Sequence, residues 1–398
     1  MKTWDWIVVG GGISGLGLAQ GCARAGRRTL VLEAADQPGG CIHSHRFQAA
    51  PGFWAELGAH TCYNSYGHLL DLVERSGLDP LLRPRVKRPY RLLTGDRLRP
   101  VFSRLHPLEA VTHIWRLKTE PKAGRSLREY YGRVLGPRNY RDLLAPAFAA
   151  VICQPADAFP AEFLFRPKPR RKDRPRSYTF DGGLSRIPEA VAGLPGLALE
   201  TGRAVTALAP AGEGFEVRTE AGATLACRHL ALAIPADGAA RLLAPHWPEL
   251  AAELSAIGMA EVDSVSVAVR AADCPLPPLA GIIAPGLDFY SAVARDWLPD
   301  PAYRAFSFHF RPGRADPEAR LEEISRVIRV PREGLLEVAA RRNRLPSLGV
   351  DHGRRLERID RALASSGLAL TGNYFLGVSI EDCLCRSADE LERFGMAW

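Results

Sequence analysis

The stretch VVGGGISG, residues 8–15, sets three glycines in a row after an apolar run and a fourth three places later. A glycine cluster alone marks a turn, so its neighbours decide its meaning. Trp6–Val9 is a short apolar run of the kind that forms a buried parallel strand. Gly10, Gly12 and Gly15 complete G-x-G-x-x-G. Residues 13–25 carry small and apolar side chains at helical spacing, and Gly26 stands where a helix end favours a left-handed residue. A second apolar run, residues 29–32, ends at Glu33. Strand, glycine turn, helix, strand and acid follow one another within about thirty residues, the order of a dinucleotide-binding unit. Gly10 permits the tight turn, Gly12 lets backbone approach a pyrophosphate, and Gly15 lets the helix lie close to the strand. The N–H groups of Ile13, Ser14 and Gly15 at the helix start face the phosphates, aided by the helix dipole. Glu33, with Ala34 beside it, is placed to accept hydrogen bonds from ribose hydroxyls and would repel a 2′-phosphate, which argues against NADP.

A chain of 398 residues is long enough for two domains, or for one with an inserted lobe. Its 46% hydrophobic and 24% charged content is that of a soluble globular protein. The sequence lacks an uninterrupted apolar run of about 18 residues, so no transmembrane helix is expected. Asp5 interrupts the start, so no signal peptide is expected and the cytoplasm is the expected location. The eight cysteines include no CxxC pair and read as free thiols. Cys383 and Cys385 form a CxC, short of the four ligands of a structural zinc site, and no metal is expected. The net charge of +8 has one dense focus, RPKPRRKDRPR at 166–176. Its prolines oppose helix formation and favour a solvated basic loop. The functional alternatives are peripheral contact with an anionic membrane or attraction of a carboxylate-bearing substrate. Neither an aromatic platform nor a recognition motif accompanies the charge, so nucleic acid is not an expected partner.

Beyond Glu33, the run AADQPGGCIHSHRFQAAPGFWAELGAH resembles the second fingerprint of the flavin amine oxidase and protoporphyrinogen oxidase superfamily. Gly39 and Gly40 match its Gly-Gly pair, and Glu56 and Gly58 its later acid-x-Gly step, with Ala59 and His60 following. The resemblance implies that the pair lies near the pyrophosphate and ribityl chain and that the later step runs past the flavin ring. FAD, held non-covalently, is thereby the implied cofactor. One position departs: Cys41 stands where the family usually has an arginine near the diphosphate, and Arg46 is a candidate replacement. Further segments match in family order. SLREYYGRVLGPRNYRDLLAPAFAAVICQPAD (126–157) resembles a segment of the substrate lobe, and SYTFDGGLSRIPEAVA (177–192) the return to the FAD domain. GRAVTAL (202–208) matches the strand whose valine, here Val205, meets adenine through its backbone, and HLALAIPADGAARLL (229–243) a further strand and turn. LALTGNYFLGVSIEDC (368–383) resembles the last fingerprint. It implies that Gly372 and Asn373 lie near the diphosphate and ribityl chain. Gly377 and Val378 then begin a helix whose N-terminus faces the flavin pyrimidine, where reduced flavin carries negative charge.

The implied fold is α/β: a Rossmann-type FAD-binding domain, GR2-like, from residues 1–75, 175–260 and 350–398. An inserted α+β substrate domain takes residues 76–174 and 261–349. The stretch DSVSVAVR (263–270) alternates as a half-buried strand does. Three functions compete. A protoporphyrinogen-oxidase-like enzyme would pass hydride from a large, anionic, easily oxidised heterocycle such as a porphyrinogen to flavin N5, with oxygen or a quinone as final acceptor. An amine or amino-acid oxidase is the second, and a non-catalytic FAD-binding protein the third. Many amine oxidases carry a lysine beside the flavin where this chain has Ser264, and no lysine occurs beyond Lys172. That favours the first reading, in which the cofactor does the chemistry and the protein orients the substrate. No catalytic side chain is identified. His60 is either a packed histidine or a group facing the flavin.

Overall fold

The computed structural model describes residues 3–313, 316–364 and 366–398. Strand Thr3–Val9 leads through the glycine turn into helix Ile13–Arg24, and strand Thr29–Leu32 follows. Gly26 has φ +72°, as the helix end requires. The three elements belong to a seven-stranded sheet. Its parallel core runs Leu197–Glu200, Thr29–Leu32, Thr3–Val9, Thr224–Leu232 and Leu368–Leu370. Strands Gly214–Thr219 and Val205–Ala211 continue it antiparallel from the first half of Thr224–Leu232.

Both faces of this sheet are covered, so its strands read as continuous apolar runs. Ile7, Val9, Leu30 and Leu32 pack with Leu230, Leu232, Leu368 and Leu370 on one side. Trp6, Val8 and Val31 pack with Leu18, Ala19 and Leu391 on the other. The last helix, Ile380–Arg393, lies against the first: the Ser387 hydroxyl donates to the Ser14 carbonyl at 2.8 Å.

The second seven-stranded sheet runs Leu335–Ser347, Gly258–Arg270, Tyr303–Phe310, Phe289–Ala294, Gly281–Ile283, Tyr90–Thr94 and Arg97–Pro100. The alternation expected over 263–270 is present within a 13-residue strand. Val265, Val267 and Val269 join Phe306, Phe308 and Phe310 in a core that also takes Ile324 and Ile328 of helix Pro317–Ile328. The intervening residues, Ser264, Ser266, Ser307 and His309, form a small, polar opposite face. That face meets the segment 40–60 of the first half of the chain. Ser307 Oγ donates to the Glu56 carbonyl at 2.7 Å, and Asn343 Nδ2 to the Leu57 carbonyl at 2.7 Å. The chemistry-bearing residues gather along this contact.

The basic stretch 166–176 is a tied strap. Arg171 and Arg174 both bind Glu74 at 2.8 Å, Arg174 also meets Asp79, and Lys168 binds Asp382 at 2.6 Å. Lys168, Arg171 and Arg174 are thus paired, while Arg166, Arg170, Lys172 and Arg176 are exposed and form no ion pair among the described residues.

Candidate functional site

The glycine turn is built by backbone contact. Gly10 has φ +107°, and a Cβ there would lie 2.6 Å from the Ala233 carbonyl oxygen. A Cβ on Gly15 would lie 2.0 Å from the Gly10 carbonyl oxygen. Helix Ile13–Arg24 begins after Gly12 with no side-chain cap and no acidic residue in its first turn. Its leading N–H groups are left for an external acceptor. Gly39 and Gly40 come alongside: Gly12 bridges to Gly39, and Gly39 N–H donates to the Gly11 carbonyl at 2.9 Å. Glu33 turns its carboxylate into the turn, accepting from Gly11 N–H at 2.6 Å and Ala35 N–H at 2.8 Å. Its backbone oxygen accepts from Arg203 N–H at 2.8 Å, which brings the start of the Val205 strand beside it, while Ala34 is exposed. Gly58 and Ala59 pass under the Gly-Gly pair, with Ala59 N–H donating to the Cys41 carbonyl at 2.9 Å. Thr371, next to Gly372 and half-buried Asn373, hydrogen-bonds Ser387, which in turn holds Ser14. Segments 373 residues apart in sequence therefore frame one cradle.

Two expectations are corrected. Gly377 and Val378 do not begin the last helix. It starts at Ile380, because Ser379 and Asp382 form a capping box that holds the chain out of helix until Ser379. Its N-terminus faces its own Asp382, salt-bridged to Lys168. Arg46 does not replace the arginine absent at Cys41. It lies on the hairpin strand Ser44–Arg46 and reaches Glu189 at 3.7 Å. The cation beside the Gly-Gly pair is Arg341, whose Nη2 donates to the Gly40 carbonyl at 2.8 Å. Sequence reading missed it because Arg341 belongs to the second sheet, 301 residues from Gly40.

Where the second sheet meets Gly58–His60 lies a polar cluster. Ser264 Oγ bonds His309 Nδ1 at 3.0 Å and accepts from Asn343 Nδ2 at 3.0 Å. The His309 and His60 rings stack 6.3 Å apart. Burial pushes both imidazoles down, His60 to about 4 and His309 to about 3, so both are neutral at physiological pH. Glu56 is buried, accepting from Ser44 Oγ at 2.7 Å and Leu184 N–H at 2.9 Å, and burial lifts its carboxyl to about 8. A cavity of about 10 Å³, room for roughly one water, lies between Glu56, His60, Arg295, Trp297, Ser307 and His309.

Two arginines flank this cluster. Arg295 is buried, stacked on Phe53 at 4.3 Å and Trp54 at 4.5 Å, and its Nε has no partner. Desolvation lowers it to about 10. Arg85 stacks on Trp297 at 4.1 Å and donates to Thr61 Oγ1 and, at 3.3 Å, to the His60 carbonyl. Neither guanidinium forms an ion pair among the described residues. Sequence reading singled out Ser264 and His60 but not Arg85, Arg295 or His309, which lie in the stretches without recognisable pattern. The alternation of SFHF at 307–310 is the signal that would have placed His309 on the Ser307 face.

The depressed His309 has a stability consequence. The unfolded chain binds a proton near pH 6.5 that the folded chain accepts only near 3, so stability present above pH 6.5 is lost as pH falls toward 3. His309→Gln is expected to flatten the acid limb of stability against pH between about 6 and 4, a difference of a few kcal/mol. Urea unfolding at fixed pH values measures it. An unchanged slope would show that His309 does not carry the effect.

The family model for flavin containing amine oxidoreductases matches residues 13–365. Among solved structures, a protein of Exiguobacterium sp. 255-15, provisionally named a protoporphyrinogen oxidase, superposes with a TM-score of 0.80 at 19% identity, over 99% of both chains. Reduced UDP-galactopyranose mutase superposes with a TM-score of 0.76 at 16% identity, over 99% of this chain and 94% of that one. Local matches include the flavin-dependent L-tryptophan oxidase RebO of Lentzea aerocolonigenes, 35% identical over 77 residues, 19% of this chain and 16% of that protein. The all-trans-retinol 13,14-reductase of Danio rerio is 45% identical over 56 residues, 14% of this chain and 9% of that protein. The matched stretches thus span under a fifth of these relatives' lengths. Among the described residues no helix is long and apolar enough to cross a membrane.

Proposed function

Because the chain belongs to the flavin-containing amine oxidoreductase family, we propose that it is an FAD-dependent oxidoreductase of the protoporphyrinogen-oxidase-like kind, acting on a large anionic substrate. The cradle fits FAD. The uncapped helix start at Gly12 and the adjoining Gly39–Gly40 pair suit a diphosphate, and Glu33 beside the start of the Val205 strand suits an adenosine ribose. When bound, FAD supplies a two-electron acceptor for a hydride from the substrate. No cysteine is required to hold it, and the binding is non-covalent.

The residues of this chain supply position and field. Ser264 in place of a lysine, with neutral His60 and His309, leaves the Gly58–His60 edge without an ammonium or imidazolium group. Positive charge comes instead from Arg85 and Arg295, and neither has a carboxylate partner. Of the acids whose fields reach Arg295, Glu56 is held largely neutral by burial, while Asp300 and Asp181 act without an ion-pair contact. This pair of arginines without an ion-pair partner carries the reading: it suits the carboxylate of an anionic substrate, which Arg binds in a fork geometry. Anaerobic mixing with porphyrinogens and with a panel of amines and amino acids tests the class. Bleaching of the flavin by the carboxylate-rich heterocycle and not by simple amines is expected. Rapid reduction by amines with porphyrinogens inert would move the assignment to an amine oxidase. Final electron transfer to oxygen or a quinone belongs to the same reading.

Arg341 takes the place of the cation that Cys41 does not supply. Arg341→Gln should weaken FAD binding by about ten- to a hundredfold, the loss of one charge-assisted hydrogen bond of roughly 1.5–3 kcal/mol. Adding Cys41→Arg to that variant should restore binding. Equilibrium dialysis of FAD reads both, and circular dichroism checks the fold. Undiminished affinity in Arg341→Gln would remove Arg341 from the site.

A further inference from the structure

Residues 97–122 read RLRPVFSRLHPLEAVTHIWRLKTEPK and form three short pieces: Val101–Arg104, Pro107–His113 and Ile114–Lys118. Their packing is inverted. The residue that helix Pro107–His113 buries is Glu109, which accepts from the backbone N–H of Asn139 at 2.9 Å and of Arg138 at 3.2 Å. The large apolar side chains point outward. Leu108 is 83% exposed, Phe102 74%, Val111 71% and Trp115 60%, with Leu105, Ile114 and Leu117 also exposed. Leu108 and Val111, three apart, share one face of helix Pro107–His113, and Trp115 follows on the 3-10 turn Ile114–Lys118. Seven exposed large apolar residues within sixteen positions exceed the scatter normal for a monomer surface and mark a binding face.

The charge around the patch selects the partner. Arg97, Arg99, Arg104 and Lys118 are exposed, and none forms an ion pair among the described residues. The three carboxylates of the neighbourhood are engaged elsewhere: Asp96 with Arg326 at 3.4 Å, Glu109 as above, and Glu120 with Arg125 and Arg133. Trp115 carries the Arg116 guanidinium 5.0 Å above its ring. An outward apolar face with a tryptophan and a rim of free cations has the composition of an interfacial element. Its apolar side chains enter the acyl boundary while its cations meet anionic headgroups. The pieces are too short to span a bilayer.

We propose that residues 97–122 dock this protein on the surface of an anionic lipid bilayer. This places the expected membrane contact at 97–122 rather than at the 166–176 strap, which has exposed cations but no exposed large apolar side chain to enter the acyl boundary. It goes beyond the assignment of function and does not depend on it. The patch includes strand Arg97–Pro100, which pairs with Tyr90–Thr94 at the end of the second sheet.

Co-sedimentation with vesicles tests the docking, comparing phosphatidylglycerol–phosphatidylcholine mixtures with pure phosphatidylcholine. The wild-type chain should pellet with the anionic vesicles, bind the neutral ones weakly and be released by salt. Arg97→Gln with Arg99→Gln should lower partitioning about twenty- to thirtyfold, at roughly fivefold per cation near an anionic surface. Leu108→Glu with Val111→Glu should abolish it. Because these residues are exposed, circular dichroism and thermal unfolding should be unchanged, which separates lost docking from lost fold. Quenching of fluorescence by brominated lipid, absent in Trp115→Phe, supplies an independent reading. Failure of the wild-type chain to bind anionic vesicles would overturn the proposal. So would concentration-dependent dimerisation without lipid that Leu108→Glu with Val111→Glu abolishes, since the face would then belong to a second copy of the chain.

Discussion

Gly15→Ala is expected to give a protein that purifies without colour and takes up no added FAD. The added methyl would sit 2.0 Å from the Gly10 carbonyl oxygen and 3.0 Å from the Ala233 side chain. The first contact is with backbone, which has no rotamer to change. Relief requires the helix to move off the first strand, carrying away the N–H groups that would meet the diphosphate. The stability cost should be about 3–4 kcal/mol, the upper part of the range for single substitutions. Absorbance of the purified variant after incubation with FAD, beside its urea unfolding curve, measures both. A yellow variant of native stability would contradict the close helix–strand contact on which the cradle depends.

The second large effect concerns the substrate end. Arg295→Gln should raise KM for a carboxylate-bearing substrate by about ten- to a hundredfold, since a hydrogen bond to a charged group contributes roughly 1.5–3 kcal/mol. A substrate whose carboxylates are esterified should be affected far less. The variant keeps most of the volume that stacks on Phe53 and Trp54. A fall in kcat for charged and esterified substrates alike would assign Arg295 a packing role. A loss confined to the charged substrate supports the anion site.

The first half-unit of the fold was legible because its physics is local. A parallel strand buried on both faces must be an apolar run, and Trp6–Val9 and Thr29–Leu32 are such runs. Gly10 and Gly15 cannot carry a side chain where they stand, so the turn leaves its mark in sequence. The capping box that delays the last helix was also written locally, as Ser379 and Asp382, but the family pattern at Gly377 and Val378 drew attention away from it. The opposite edge of the site was not legible, for a different reason. Arg341, Asn343 and His309 reach it through the register of a sheet whose strands are far apart in sequence, and Arg295 from just past the end of strand Phe289–Ala294. Nothing near any one of them announces the others. The outward apolar face of residues 97–122 was hidden for a third reason. Its helix buries a glutamate, so reading apolar residues as inward would point it the wrong way.

The proposed function requires that this chain fold a cradle for one non-covalent FAD. Acid precipitation of the purified protein, followed by chromatography and mass spectrometry of the supernatant, tests it most directly. One FAD per chain, released intact into the supernatant, is the expected result. A colourless protein that releases no flavin and binds none when FAD is supplied would contradict it.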